Sequence, residues 1–397
     1  MLINFQNKEN NNLISFFEKL NNLKNVCEKI GFKGWDPYDG LNSPLIQKTF
    51  LKNNYFARLF FIQLFKKNPI NLRKLFFIKE DYNPKALGLF LSGYVSIYKA
   101  TKDNSALSQI NFLAKKIIEL ITPGYSGACW GYNFDWQSRA FFLPKYSPTV
   151  VATSFIANAL LDAYEITENE KYFNVADSSK YFILKDLNRT SKEKGFIFSY
   201  SPFDNTRVYN ASLLGSKLLA RIYSFTKEQF LVDEIMNSTI ACVASQHTDG
   251  SWFYGELPIQ NWIDSFHTGY NLECLQSISD YLKIEEFKDN IYSGFDFYVN
   301  NFIEKDGIPK YYHNKIYPID IHCPCQFSNT IITLNKFDEQ KVVLEKMWDW
   351  TIRNMYDFKK NIFYFQKNDL YTVKIPYIRW AQAWAFNSLS KLYNYVS

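Results

Sequence analysis

The sequence predicts an all-α protein, an (α/α)6 toroid of helical hairpins whose aromatic loops gather at one rim. Three observations carry that expectation. An aromatic segment, opened by glycine in every copy but the last, returns along the chain; helices recur in pairs between the copies; and the final helix is as apolar as an interior one. The segments read GWDPYDG from Gly34, GACWGYNF from Gly127, GFIFSYSPF from Gly195, GSWFYGEL from Gly250, GIPKYYHN from Gly307 and NIFYFQKN from Asn361. The last five start 68, 55, 57 and 54 residues apart, which suits two helices and one loop per unit.

Taken in order, apolar positions spaced at 3.6 residues predict helices over 12–30, 43–66, 83–101 and 104–121, with Asn83-Pro84 as a start signal. Helix pairs follow at 148–166 and 169–184, 206–225 and 228–246, 262–282 and 285–303, and 319–335 and 338–356. Ser147-Pro148, Asn205-Thr206 and Pro318 mark starts after the long loops. The last helix, 375–394, has no polar outer face to cap an open solenoid, which favours closure into a ring. The N-terminal helices leave room for one more hairpin, so (α/α)7 is the near alternative, with residues 1–80 an extension completing the ring. No Pro/Gly/Ser-rich linker, charge block or low-complexity run divides the 397 residues, which read as a single toroid domain.

Composition narrows the function classes. The start MLINFQNKENNN lacks a signal peptide's basic and apolar regions, and no run of about 18 uncharged apolar residues predicts a membrane span. Six cysteines, at 27, 129, 242, 274, 323 and 325, are scattered, which suits a reducing cytoplasm. The net charge of +6 reads as mild and spread out, compatible with an anionic ligand and unsuited to nucleic acid. A Gly-rich phosphate loop, a G-x-S-x-G elbow and an H-E-x-x-H motif are all missing, so ATP-dependent, serine-hydrolase and zincin chemistry are set aside.

Candidate chemistry centres on Gln246–Glu273, where a turn and an aromatic strand lead into a helix. Asp264, His267 and Asn271 fall on one face of that helix. Asp264 and His267 can serve as an acid/base pair, the carboxylate fixing the imidazole's tautomer, or as a helix-start motif; Glu256 is a second candidate carboxylate. The four histidines, His247, His267, His313 and His322, all fall at one predicted rim. Asp36, Tyr38 and Asp39 suit sugar hydroxyls or an Asx-turn. Trp252, Tyr254 and Tyr270 add aromatic surface, and Trp130, Tyr132, Asp135 and Arg139 form a cluster in the longest loop that would serve as a lid. Arg379, Trp380 and Gln382 open the last helix, where the guanidinium fork matches a carboxylate or phosphate and the indole a sugar face. Asp320, His322 and Gln326 complete the binding set. Asp320, His322, Cys323 and Cys325 are all zinc-ligand types, yet His-Cys-Pro-Cys is too compressed for one tetrahedral site, and no cofactor is assigned.

The loop QHTDGSW (Gln246–Trp252) resembles the Q-x-x-x-G-x-W repeat of terpene cyclases, which are α/α toroids; their D-x-D-D and D-D-x-x-D acid motifs are absent, so the fold carries over and the cyclisation does not. GWDPYDGLNSP (Gly34–Pro44), DGSWFYG with WIDSFHTGYNLE (Asp249–Glu273), DIHCPCQ (Asp320–Gln326) and YIRWAQAW (Tyr377–Trp384) resemble six-hairpin toroid proteins, labelled prenyltransferase-like, of bacterial surface-polysaccharide loci. That resemblance implies a toroid in a polysaccharide context, with a glycosyltransferase as a candidate partner; the candidate substrate is a carbohydrate, with acidic and lipid-linked forms both open and Arg379 favouring the acidic one. Hydrolysis, β-elimination and epimerisation of a sugar unit stay open. The alternatives are a non-catalytic glycan-binding or scaffold toroid and a zinc-dependent transferase acting on a lipid-linked or prenyl substrate.

Overall fold

The computed structural model describes residues 11–397. Its helices are α1 (Asn11–Lys29), α2 (Pro44–Gln47), α3 (Tyr55–Lys67), α4 (Pro84–Thr101), α5 (Asn104–Glu119), α6 (Val150–Thr167) and α7 (Glu170–Tyr181). There follow α8 (Tyr209–Thr226), α9 (Phe230–Val243), α10 (Ser265–Leu282), α11 (Lys288–Phe302), α12 (His322–Thr333), α13 (Phe337–Met355) and α14 (Trp384–Val396). Helices α4, α6, α8, α10, α12 and α14 pack each against the next, and α14 packs back on α4. The inner ring therefore closes with six members. Helices α5, α7, α9, α11 and α13 each cover the inner helix before them, and α1, from the opposite end of the chain, covers α14. The seven-hairpin alternative fails because α1 is spent as the sixth outer helix.

Inner helices are buried on nearly every face, whereas outer helices keep a solvent side, as their apolar patterns require. Asn83, Thr149 and Asp264 cap α4, α6 and α10 by accepting the amides of Ala86, Ala152 and His267. At the other end, α4, α6, α8 and α10 stop on left-handed Lys102, Glu168, Lys227 and Lys283, which turn the chain directly into the next outer helix. All six inner helices thus point their N-termini at the same rim. At the closing seam a Cβ on Gly93 would stand 2.6 Å from the Phe386 ring, so only glycine lets α4 and α14 approach this closely. Asn387 ties the same seam by donating to the Leu89 carbonyl.

The loops at the rim follow one plan. Gly195, Gly250 and Gly307 adopt positive φ, and each sits on the backbone of the next hairpin's outer helix, at Asn237, Ser293 and Lys346. Asn361, at φ 57°, supplies the left-handed residue in the last copy. Short antiparallel pairs brace the loops: β1 (Trp136–Gln137) with β2 (Phe142–Leu143), Arg189–Ser191 with Phe196–Phe198, and Ile319–Asp320 with Gln366–Lys367. The one helix expected over 43–66 is broken. Thr49 and Asn54 turn their side chains back onto the amides of Leu51 and Ala57, ending α2 and starting α3 afresh. These pieces belong to a long insertion, 30–83, between α1 and α4.

This plan makes a paired prediction. At Gly250, φ is 88° and an added Cβ would lie 2.2 Å from the Ser293 carbonyl oxygen, so Gly250→Ala should destabilise the fold by roughly 2 kcal/mol or more. Lys227→Gly, at φ 58°, removes left-handed strain and should be neutral or raise stability by up to about 1 kcal/mol. Thermal midpoints of the two variants against the parent chain test both signs.

Candidate active site

Where the six N-termini converge lies a cavity of about 330 Å³. First-turn residues of every inner helix form its floor: Lys85 from α4, Val151 from α6, Asn210 from α8, His267 from α10, His322 from α12, and Trp380 from the turn leading α14. Tyr132, Trp136 and Phe141 from the β1–β2 loop, with Tyr200 and Tyr254, make one wall; Ile62 and Lys66 of α3 make another. Six helix N-termini, each with a partial positive charge, face the same space. The side chains reinforce that sign: Lys66, Lys67, Lys85, Arg139 and Arg379 line the cavity, and among the described residues lining it there is no Asp or Glu.

His267 is held by Asp264. One carboxylate oxygen accepts the His267 amide at 3.0 Å, and the other accepts from the imidazole Nδ1 at 2.7 Å and from the Trp262 indole at 2.8 Å. Asp264 is buried behind the ring it orients. With Nδ1 tied as a donor to the carboxylate, Nε2 is the acceptor and makes no hydrogen bond among the described residues, so it is available to the cavity. Tyr254 stacks on Trp262 and touches His267, fixing the ring from the side.

Beside it, His322 is fully enclosed, stacked on Phe266 with ring centres 4.4 Å apart, its Nε2 2.7 Å from the Tyr270 hydroxyl. Burial, with Lys85 and His267 nearby, drives its pKa well below the usual histidine value, so the ring is neutral. Its Nδ1 is buried without a partner. An orphan acceptor costs less than an orphan N–H, which puts the proton on Nε2, donating to the Tyr270 oxygen. The Tyr270 proton is then free to point into the cavity. Burial also raises the Tyr270 pKa well above its ordinary value, so this group is a donor and not a base.

Lys85 was not singled out from the sequence. Its Nζ lies 4.0 Å from the centre of the Phe155 ring and 5.5 Å from that of Trp384, with no hydrogen bond among the described residues. Burial and the charge on Arg379 hold its pKa well below the usual lysine value. An anion in the cavity would restore its charge. The signal that could have found it is positional: Asn83-Pro84-Lys85 is a capped helix start, as Asp264 to His267 is.

Several expected binding residues prove to be supports. The Arg379 fork is already filled, its Nε and Nη2 donating to the two oxygens of Asp36 at 2.6 and 2.9 Å, so it does not offer a bidentate grip to a ligand. Asp36 is thereby buried, and Asp39 likewise holds Arg73 at 2.7 Å; neither faces the cavity. Glu256 is clamped by Lys192 and Arg207 away from the lining, which removes it as a second catalytic carboxylate. Trp130 and Trp252 are core residues whose indoles cap the ends of α5 and α9 by donating to the Ile117 and Cys242 carbonyls. Gln382 pairs with the backbone of Phe363. Gln326 lies down the ring axis with Glu273 and Thr330. Asp320 sits behind the lining, accepting from Trp380, Gln366 and the His322 amide. Tyr38, Tyr132, Tyr254, Tyr270, His322 and Trp380 do line the cavity, as does Arg139 of the expected lid; Asp135 instead braces Gln47 and the Lys145 amide. His247 is occupied by Ser251 and His313 by the Ile263 carbonyl.

The zinc alternative is not assembled. Both Asp320 oxygens and His322 Nε2 are committed elsewhere, and Cys323 and Cys325 are thiols pushed up by burial. Among the described residues no group of three or more His, Cys, Asp and Glu converges on a metal position.

Asp320 gives a pH prediction. Burial raises its pKa to about 6, so the fold favours its protonated form. That contribution is complete below about pH 4 and is lost as pH rises through about 6, at most roughly 3 kcal/mol in all. Asp320→Asn, with Gln366 turning its amide to match, should be at least as stable as the parent near neutral pH. The difference between the two melting profiles should change between about pH 4 and 6 and be flat above.

No family model matches the chain, and no curated protein matches it in sequence. Solved structures do. An unsaturated glucuronyl hydrolase specific for heparin superposes with a TM-score of 0.63 at 10% identity, covering 97% of each chain. A family 76 α-mannanase of Bacteroides thetaiotaomicron gives 0.61 at 14% identity, over 79% of this chain and 86% of its own. The cellobiose 2-epimerase of Bacillus thermoamylovorans gives 0.58 at 15% identity, over 78% and 87%. With its closed ring of six inner and six outer helices, the chain is a six-hairpin (α/α) toroid, the architecture on which these proteins are built.

Proposed function

We propose that this protein is a carbohydrate-active enzyme that takes a proton from carbon on an anionic sugar unit, with His267 as the base. The observation that carries the reading is the cavity lining, which joins an Asp-oriented imidazole to five basic side chains, with no carboxylate lining it among the described residues. Glycoside hydrolysis usually needs two carboxylates facing the scissile bond, so of the three reactions open from sequence it fits least. A uronate fits best. Lys85 and its cationic neighbours would neutralise the sugar carboxylate, acidifying the adjacent C–H. His267 Nε2 would take the proton while Asp264 stabilises the imidazolium. The electron pair then either expels the β-oxygen, which takes the Tyr270 proton, or takes that proton on carbon from the face opposite His267. The first outcome is β-elimination and the second epimerisation. Among the solved toroids with which it superposes, a cellobiose 2-epimerase supports proton transfer at carbon on this scaffold, and an unsaturated glucuronyl hydrolase supports a uronic-acid unit as ligand. A cytoplasmic location and a glycosyltransferase partner belong to the same proposal; the six cysteines, all buried and unpaired, support the first.

The test uses uronic-acid oligosaccharides in deuterated water. An unsaturated chromophore reports elimination, and solvent deuterium in an uncleaved sugar reports epimerisation. His267→Ala should lower kcat by about 1,000-fold or more, and Asp264→Asn, which keeps the helix cap, by about 100-fold or more with little change in melting temperature. Fresh reducing ends with neither chromophore nor deuterium would replace the proposal with hydrolysis. Saturable binding that His267→Ala leaves untouched, with no turnover, would make the ring a glycan-binding module.

A further inference from the structure

Residues 40–79, within the insertion beside the cavity, contain eight Lys and Arg and no Asp or Glu. This stretch alone exceeds the +6 of the whole chain, so the charge is concentrated and not spread as its total suggests. The same stretch holds an unusual share of exposed apolar side chains. Phe50 is 81% exposed and Phe56 77%, and Phe60, Ile70, Leu75 and Phe77 are each more than half exposed. Around them Lys48, Lys52, Lys67, Lys74 and Lys79 are exposed as well.

Nothing in the ring's folding accounts for this. Elsewhere the insertion behaves as ordinary folded protein: Arg73 is buried against Asp39, and Ile62 and Phe65 pack inward from α3. Helix α3 therefore has a committed inner face, which lines the cavity through Leu59, Ile62 and Lys66, and an outer one that presents Phe56 and Phe60 one turn apart. Exposed aromatics cost solubility unless something covers them. A protein partner of ordinary mixed charge would accept the apolar groups but gives no reason for a segment without a single acid. An anionic bilayer accounts for both features. Aromatic and aliphatic side chains enter the headgroup boundary while lysines around them meet lipid phosphates.

We propose that the 40–79 face docks this protein on the surface of a membrane rich in anionic lipid. No described helix is long and apolar enough to cross a membrane, so the contact is peripheral. Because α3 is also a cavity wall, docking sets the cavity mouth close to the lipid plane. The inference does not depend on the sugar chemistry proposed above, and its test uses no substrate.

The full chain is floated with vesicles of phosphatidylcholine alone, or of equal parts phosphatidylcholine and phosphatidylglycerol, at low and high salt. The expected result is binding to the anionic vesicles only, weakened by salt. Phe56→Ser with Phe60→Ser, and separately Lys48→Glu with Lys52→Glu, should each reduce partitioning by about tenfold or more while melting temperature stays unchanged. These positions are exposed, so folding should tolerate them; the two independent pairs guard against one failing to fold. Equal binding to neutral and anionic vesicles, no binding to either, or full binding by both variants would each overturn the proposal. So would a concentration-dependent dimer that the Phe pair abolishes without any vesicle binding, since the face would then belong to a second protein molecule.

Discussion

Asp36 and Arg379 lie 343 residues apart and form a two-point ion pair with both partners buried. Everything at the rim leans on it. Arg379 stands in a π-helical turn, Ile378–Ala383, and its guanidinium meets the loop after α1. Asp36 answers from that loop, and its own backbone carbonyl accepts from Arg73, which in turn holds Asp39. Two arginines and two aspartates thus fasten the first rim loop to the last inner helix. Breaking a buried pair of this kind from one side commonly costs about 3–5 kcal/mol, because the remaining charge is left without compensation. The neighbouring Trp380 would lose its place in the cavity wall with it.

The pair also decides how the site's charge is distributed. Arg379 sends two of its nitrogens to Asp36, which lowers its value as a ligand grip and raises its value as a fixed positive presence near Tyr132 and Lys85. Lys85, lacking any such partner, is the group left to respond to what enters. The site therefore divides labour: one cation is immobilised by the protein, while another waits among aromatic rings with its charge suppressed. His267 and His322 show the same division, one oriented by a carboxylate and the other kept neutral by enclosure.

Much of the fold was legible because a ring repeats itself. Gly195, Gly250 and Gly307 mark register in the sequence for the same reason they are needed in the structure, a close seat on the next outer helix. The start of α4 followed from a cap visible as residue types, Asn83-Pro84, whereas α10, expected from 262, begins at Ser265 with Asp264 as its cap. The site was legible only in part. The sequence places Asp264 and His267 together at a helix start, although Asp264 is the N-cap outside α10 and not a member of its face as expected; whether an acid faces a ligand or another residue depends on partners far along the chain. Asp36, Glu256 and Gln382 were misjudged for that reason, since Arg379, Arg207 and the Phe363 backbone had already claimed them. Trp130 and Trp252 were misjudged because a tryptophan that caps a helix end and one that stacks on a sugar look alike as letters. Lys85 was passed over because nothing nearby in sequence hints at Phe155 and Trp384 enclosing it.

Down the axis beneath the floor, Glu273, Gln326, Asn329, Thr330 and Asn387 are all buried and fill the ring. The toroid is accordingly a cup and not a tube. A polymer cannot thread it, so the protein cannot slide along a chain by passing it through its own middle. Whatever occupies the cavity therefore enters and leaves by the same mouth.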